Sequence, residues 1–315
     1  MKRFPHVLSA TQFTREELDA LFARADELKG LRRRDRPRTL AGKMVAIILE
    51  EPSTRTRISF ETAARYLGAS TIVSEAAGMF SSLAKGETPE DMAVVLAGYE
   101  IDALVMRHKE IGTSRRVAAV SPIPVINAGD GAGEHPTQAL LDLYTILRLR
   151  KSDRLTLAFC GDLDHSRTVR SLCRLIIQYG GVPSFELRLV SPFEIRLGED
   201  IRQELGAAGI PFVETEDLNL ALREGDFFYQ TRVQRERYGD GDEGERMYRA
   251  VQSRFALNAG NVQSMKPDAF IMHPLPRGGE LSKDVDADRH ARYFQQAANG
   301  LYVRMALLER VLADG

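Results

Sequence analysis

The sequence predicts an α/β protein: two parallel-sheet α/β domains with the active site in the cleft between them. Three observations carry this. Short apolar runs such as "MVAIIL" (44–49) alternate with helical patterns, and a run apolar at every position suits a parallel strand covered on both faces. The alternation occurs twice, interrupted by the charged stretch "KSDR" (151–154), and two strand–helix series imply two sheets. The length of 315 residues accommodates two domains of ordinary size. The expected first domain is 1–150, completed by a C-terminal helix at 291–315, and the second is 151–290.

The elements follow in order. Thr14 and Glu17 form a capping box, and Leu18, Leu21, Phe22, Ala25 and Leu28 recur at helical spacing behind it. "MVAIIL" is the first strand; a helix is expected from about Thr56 to Leu67, then a strand at "STIVSE". Thr88 starts another helix, with Pro89 at its first position and Glu90 and Asp91 complementing the dipole. "DALVMR" and "IPVIN" are strands, and "PTQALLDLYTILRLR" is a helix from Pro136. In the second series "LTLAFCGD", "FELRLVS", "DFFYQTR" and "AFIMHPLP" read as strands. "RTVRSLCRLIIQYG" reads as a helix, and a last helix runs from about Ala291. "RYGDGDEGER" has the composition of a mobile surface loop.

Composition excludes several classes. With 43% hydrophobic and 28% charged residues the chain is globular rather than disordered. A net charge of −1 gives no bulk attraction to nucleic acid or an anionic membrane. "RRRDRPR" (32–38) reads either as a basic patch or as a solvated loop. Cys160 and Cys173 lack C-x-x-C spacing and read as buried thiols of a reducing compartment. No apolar run approaches the ~20 residues that span a bilayer, and no signal-peptide core is present, so a cytoplasmic location is expected.

Ligands of open α/β sheets bind beyond the carboxyl ends of the strands. In the first half those ends lead to Ser53, Thr54, Arg55, Thr56 and Arg57, to Arg107 and His108, and to His135 and Gln138. In the second half they lead to His165 and Arg167, to Arg232 and Gln234, and to Pro276 and Arg277. The set is rich in cations and hydrogen-bond donors and poor in nucleophiles and metal ligands, which describes a site for small polyanions. Where the loop at Ser53–Thr56 enters a helix, free N–H groups, the dipole, hydroxyls and the Arg55 fork would cradle a phosphate. Taken singly, the arginine loop reads as surface ion pairs, His135 as a helix cap, and His165 and His273 as strand-end residues. Joint occurrence at successive strand ends points to a site.

"STRTR", "VMRH", "NAGDG…HPTQALLDLYTI", "GDL…RTVRSL", "TRVQRER" and "HPLPR" together resemble the aspartate carbamoyltransferase catalytic chains of the aspartate/ornithine carbamoyltransferase superfamily. The likeness runs in order over essentially the whole chain. S-T-R-T-R with H-P-T-Q is specific to the superfamily, while "TRVQ", "HPLPR" and "AKGET" point to the aspartate branch. The ornithine branch carries an S-M-G loop and a cysteine in place of Pro274, which this sequence lacks. Glu51-Pro52 and a longer arginine-rich loop are mild departures from the best-known bacterial pattern.

The resemblance implies transfer of a carbamoyl group from carbamoyl phosphate to L-aspartate, on the route to pyrimidines. By position, Ser53, Thr54, Arg55 and Thr56 would hold the phosphate, with Arg107. Thr56, Arg107 and His135 would polarise the carbamoyl oxygen; Gln138 and the backbone around Leu275 and Pro276 would hold its amino group. Arg167 would take the α-carboxylate of aspartate, and Arg232 and Gln234 its β-carboxylate. Lys85 would bridge phosphate and aspartate, with Ser81, or its neighbour Ser82, as the loop serine. The resemblance further implies a homotrimer with shared active sites, no cofactor and no metal in this chain. It leaves open whether regulatory chains or other pyrimidine-pathway enzymes bind. A carbamoyltransferase for another amine, such as ornithine, and a non-catalytic scaffold remain the alternatives.

Overall fold

Helix α1 (Arg15–Gly30) starts where its capping box places it: the Thr14 side chain accepts from the Glu17 N–H, and Glu17 reaches back to the Thr14 N–H. Its buried face is Leu18, Leu21, Phe22, Ala25 and Leu28, as the spacing predicts. The computed structural model describes residues 6–75, 86–233, 235, 238–239 and 241–312.

The first sheet contains β1 (Met44–Leu49), β2 (Ser70–Glu75), β3 (Ala103–His108) and β4 (Val125–Asp130). Its order is β2-β1-β3-β4 and every pairing is parallel. Helices α2 (Thr54–Tyr66), α3 (Pro89–Gly98) and α4 (Thr113–Val120) make the crossovers, and α5 (Pro136–Leu149) leaves β4. Ala46, Ile48, Leu104, Met106 and Val125 bury one face of this sheet against Met92, Ala93 and Val117 of the helices.

The second sheet is β5 (Arg154–Cys160), β6 (Ser184–Val190), β7 (Phe212–Thr215), β8 (Phe227–Gln230) and β9 (Phe270–Met272). Its order is β7-β6-β5-β8-β9, again parallel throughout. Around it lie α6 (Arg167–Tyr179), α7 (Glu199–Ala207), α8 (Leu218–Glu224) and α9 (Asp242–Arg254), and α10 (Tyr293–Leu312) ends the described chain. The chain divides into two compact units, Met1–Tyr144 with Ala298–Gly315, and Thr145–Ala297. The end of α10 is tied into the first unit: Glu309 accepts from Arg24 at 2.7 Å and Thr39 at 2.6 Å, and Arg310 pairs with Glu17 at 2.8 Å.

Several elements differ from expectation. Helix α2 starts at Thr54 rather than Thr56, because Ser53, in extended conformation, is its N-cap. The Arg57 N–H closes the first turn onto the Ser53 carbonyl at 2.9 Å. The end of "RYGDGDEGER" is not loop but the first turn of α9, where Asp242, Glu243 and Glu245 complement the dipole. Arg235 and Arg249 each hold Glu245 at 2.6 Å. In "RRRDRPR", Arg33 and Arg36 lie over the Tyr66 ring at 5.1 and 4.6 Å, so part of this loop is packed rather than solvated. Helices α4, α7 and α8 and edge strand β7 were not anticipated; they are short, and β7 exposes both Val213 and Glu214 instead of alternating. Both cysteines are free and buried. Burial pushes the Cys173 thiol up to about 12 and the Cys160 thiol well above its ordinary value. No helix among the described residues is long and apolar enough to cross a membrane.

Gly161, just past β5, has φ +121°, and a Cβ there would lie 2.6 Å from the Thr231 carbonyl oxygen beyond β8. Both the dihedral and the contact demand glycine. Gly161→Ala is expected to lower stability by about 2–4 kcal/mol, read as a drop in Tm by circular dichroism. An unchanged Tm would show that these two strand ends can part freely.

Candidate active site

Strand order decides where a ligand fits. In the first sheet β1 is followed by β2 on one side and then by β3 on the other; in the second, β5 is followed by β6 and β7, then by β8 on its far side. Loops leaving β1 and β3, and β5 and β8, therefore diverge and open a crevice at each reversal. Of the sequence-predicted residues, Ser53–Thr56 and Arg107 follow β1 and β3, and Arg167 and Arg232 follow β5 and β8, whereas His135 and Gln138 follow β4 and Leu275 and Pro276 follow β9.

At the first reversal, Ser53–Thr56 form the N-terminal turn of α2, where N–H groups have no intrahelical partner. The Ser53 hydroxyl makes no cap; it donates to Thr56 Oγ1 at 2.9 Å, leaving the buried Thr56 hydroxyl proton for another acceptor. The Ser53 N–H is taken by Glu75 at 3.0 Å, and Arg57 is held by the same carboxylate at 3.0 Å. Arg57 is thus structural. Arg55, by contrast, makes no ion pair among the described residues; it stays exposed, and partial desolvation lowers its pKa from the usual guanidinium value.

Register brings Arg107 beside this turn, since Leu49 of β1 is opposite Arg107 of β3. Arg107 reaches Glu51 at 3.0 Å, while Glu50 receives His108 at 2.8 Å and Lys109 at 3.1 Å. His135 is buried at the start of α5, its Nδ1 3.4 Å from the Thr137 hydroxyl. Gln138, one turn on, donates to the fully buried Asp142 at 2.9 Å. The loop before His135 is fixed by Asp130, which accepts from the Glu134 N–H at 2.7 Å, and by Glu134, which accepts from the Ser9 hydroxyl and the Ala10 N–H at 2.9 Å.

In the second unit, Arg167 opens α6 behind its N-cap Ser166. His165 folds back onto Asp162 at 3.1 Å; burial raises the pKa of that carboxyl, and the His165 hydrogen bonds only partly offset it. The Thr231 N–H donates to the Cys160 carbonyl at 2.7 Å, which sets exposed Arg232 beyond β8 beside the end of β5. After β9, buried His273 accepts the Leu275 N–H on Nδ1 at 2.8 Å and so presents Nε2–H to Glu280 at 2.9 Å. The turn it fixes holds Leu275 at φ +54° and a cis Leu275–Pro276 peptide. His273 is therefore more than a strand-end residue. Ser81, Ser82, Lys85 and Gln234 lie outside the described residues.

Sequence reasoning missed the carboxylates. Glu50, Glu51, Asp142 and Glu280 orient the cations and amides named above, and no local pattern marks them. One groove, of about 390 Å³ and lined by Thr156, Ile176, Pro183 and Ile210, lies away from these residues at the amino edge of the second sheet. It gathers little chemistry, and the carboxyl edge is the better site. Among the described residues no cluster of three or more His, Cys, Asp or Glu could hold a metal ion.

Residues 5–148 match the family description "Aspartate/ornithine carbamoyltransferase, carbamoyl-P binding domain", and residues 153–311 match "Aspartate/ornithine carbamoyltransferase, Asp/Orn binding domain". The chain is 45% identical over 309 residues to the aspartate carbamoyltransferase catalytic subunit of Methanothrix thermoacetophila, covering 98% of each. It is 44% identical over 308 residues to a chloroplastic aspartate carbamoyltransferase of Pisum sativum, covering 97% of this chain and 77% of that protein. A crystal structure of the Trypanosoma cruzi aspartate transcarbamoylase in complex with carbamoyl phosphate and aspartate superposes with a TM-score of 0.88 at 35% identity, covering 99% and 96% of the two chains.

The Glu280 clamp has a pH signature. Burial disfavours its ionised form, but hydrogen bonds from His273 and the Gly278 N–H outweigh this and hold the carboxyl below its usual range. Its contribution is thus present above the unfolded glutamate pKa, about 4.3, and is lost as pH falls through the lower folded value. Glu280→Gln is expected to cost about 1–3 kcal/mol at neutral pH and to show a shallower acid fall in Tm than the parent. Parallel acid limbs would overturn this assignment.

Proposed function

The chain belongs to the aspartate/ornithine carbamoyltransferase family, and from that premise we propose that it transfers the carbamoyl group of carbamoyl phosphate to the amino group of L-aspartate, giving N-carbamoyl-L-aspartate and phosphate. The observation that carries this is the open first turn of α2 at the β1/β3 reversal, with Arg55 uncommitted to any ion pair among the described residues. A relative that binds both substrates at full-length similarity supports the choice of aspartate.

The first unit binds carbamoyl phosphate. The N–H groups of Thr54–Thr56, the hydroxyls of Ser53, Thr54 and Thr56 and the Arg55 guanidinium take the phosphate, and Arg107 exchanges its exposed partner Glu51 for the ligand. Thr56, Arg107 and His135 stabilise the oxygen that gains charge when the amine attacks. Gln138, aligned by Asp142, and the backbone at Leu275–Pro276 hold the carbamoyl NH₂. The second unit binds aspartate through Arg167, Arg232 and Gln234. The neutral amine adds to the carbonyl carbon, the carbon–oxygen bond to phosphate breaks, and the departing phosphate accepts the amine proton. No covalent enzyme intermediate is needed; preorganised charge and orientation supply the rate. The assembly is a homotrimer in which Lys85, with Ser81 or Ser82, is donated by a neighbour, working in the cytoplasm at an early step of pyrimidine synthesis.

A carbamoyl phosphate assay with aspartate or ornithine as acceptor tests the reading, and turnover with aspartate alone is expected. Arg55→Ala should lower kcat by two to three orders of magnitude, about 3–4 kcal/mol, without loss of fold. Arg232→Ala should raise the KM for aspartate while calorimetric binding of carbamoyl phosphate persists. Turnover with ornithine, or a fully active Arg55→Ala protein, refutes the proposal.

Shared sites have their own test. Lys85→Ala and Arg55→Ala trimers should each be nearly inactive, and random hybrids should regain about a quarter of the wild-type activity per site, since a cyclic interface lets each chain give and accept a loop. Hybrids that form but stay inactive would show that Lys85 serves its own subunit.

A further inference from the structure

The C-terminal helix carries a buried cation that the roles above leave unused. Arg304 is only 4% exposed, and its Nε has no hydrogen-bond partner among the described residues. A buried charge with one donor unmatched costs stability at that atom rather than adding to it. Its surroundings indicate another use. The guanidinium lies 5.1 Å over the ring of Phe60, which is one helical turn beyond Thr56 on α2. The carboxylate of Asp142 attracts it and the guanidinium of Arg55 repels it. Asp142, one turn beyond Gln138 on α5, accepts the Gln138 amide at 2.9 Å. One charge thus stands behind the first turns of both helices that open the site.

Space for it is made by Gly300. A Cβ there would come within 2.6 Å of the Arg304 guanidinium and 2.9 Å of Leu141 Cδ2. Burial pulls the Arg304 pKa down to about 10, so the group remains charged at neutral pH and its field is little screened.

We propose that Arg304 is a positioning residue of the anion site: it fixes Asp142, and through it Gln138, and its charge raises the affinity of the Arg55 turn for phosphate. This rests on the assignment of Ser53–Thr56 and Gln138 to carbamoyl phosphate. Two cations held near one another without an anion repel, and a bound phosphate relieves that repulsion, so anion binding is coupled to the buried charge. Lysine would restore charge but not the planar fork over Phe60.

The test uses the full chain, with carbamoyl phosphate and inorganic phosphate as calorimetric probes. Arg304→Met is expected to keep its Tm, to bind both anions about tenfold more weakly, and to raise the KM for carbamoyl phosphate with the KM for aspartate within about twofold. Arg304→Lys should recover most of the phosphate affinity but less of kcat. Gly300→Ala, which keeps every charge and displaces the flexible ends of Arg304 and Leu141, guards against misfolding of Arg304→Met and should weaken both anions in the same direction. Arg55→Ala separates the two levels of the argument. If it loses anion binding while Arg304→Met and Gly300→Ala bind like wild type, the role of Arg304 is overturned and the phosphate turn stands. If Arg55→Ala also binds normally, both assignments fall.

Discussion

Strand order reverses once in each sheet, at β1/β3 and at β5/β8, and the chemistry depends on that reversal. Parallel strands end with carbonyls and loops at one edge, and only where neighbouring loops turn apart is there room for a ligand to reach backbone donors. The α2 turn and the Arg107 strand end flank one such gap, and the loops carrying Arg167 and Arg232 flank the other. Register then decides which side chains meet: Leu49 opposite Arg107, and Cys160 opposite Gln230, bring the last strand residues level.

Gathering cations at one edge creates an electrostatic problem that the carboxylates solve unequally. Glu75 neutralises Arg57 and Glu50 takes His108 and Lys109, which removes these groups from the ligand's reach. Glu51 pairs with Arg107 while remaining 39% exposed in its side chain, so that bond is exchangeable at small cost. Arg55 has no such partner among the described residues. The cations are thus graded from committed to available, and the available ones border the open helix turn.

The second unit uses rigidity rather than grading. His273, Glu280 and the Gln296 side chain, which accepts the His273 N–H at 2.8 Å, form a buried network that holds one short turn. Buried hydrogen bonds of this kind fix geometry more firmly than apolar packing does, because each is costly to leave unmade, although Glu280 Oε2 finds no partner among the described residues. Asp162 Oδ2 and Gln230 Oε1 are likewise buried without a hydrogen-bond partner among the described residues.

Much of this was legible in the sequence. The capping box at Thr14, the continuous apolar strand at 44–49 and Pro89 at a helix start are local signals, set by hydrogen bonds and burial within a few residues, and each element stands where they put it. The cationic strand ends were legible too, because loops after apolar runs are easily located. Strand order was not, since it depends on which crossover packs on which face. Nor were the partners: that Arg57 is ion-paired while Arg55 makes no ion pair among the described residues, that Gln138 leans on Asp142, or that Arg304 lies behind both. Those pairings join residues as far apart as Phe60 and Arg304. Sequence spacing carries information about neighbours along the chain, and only the packed core decides which distant charges share a dry interior.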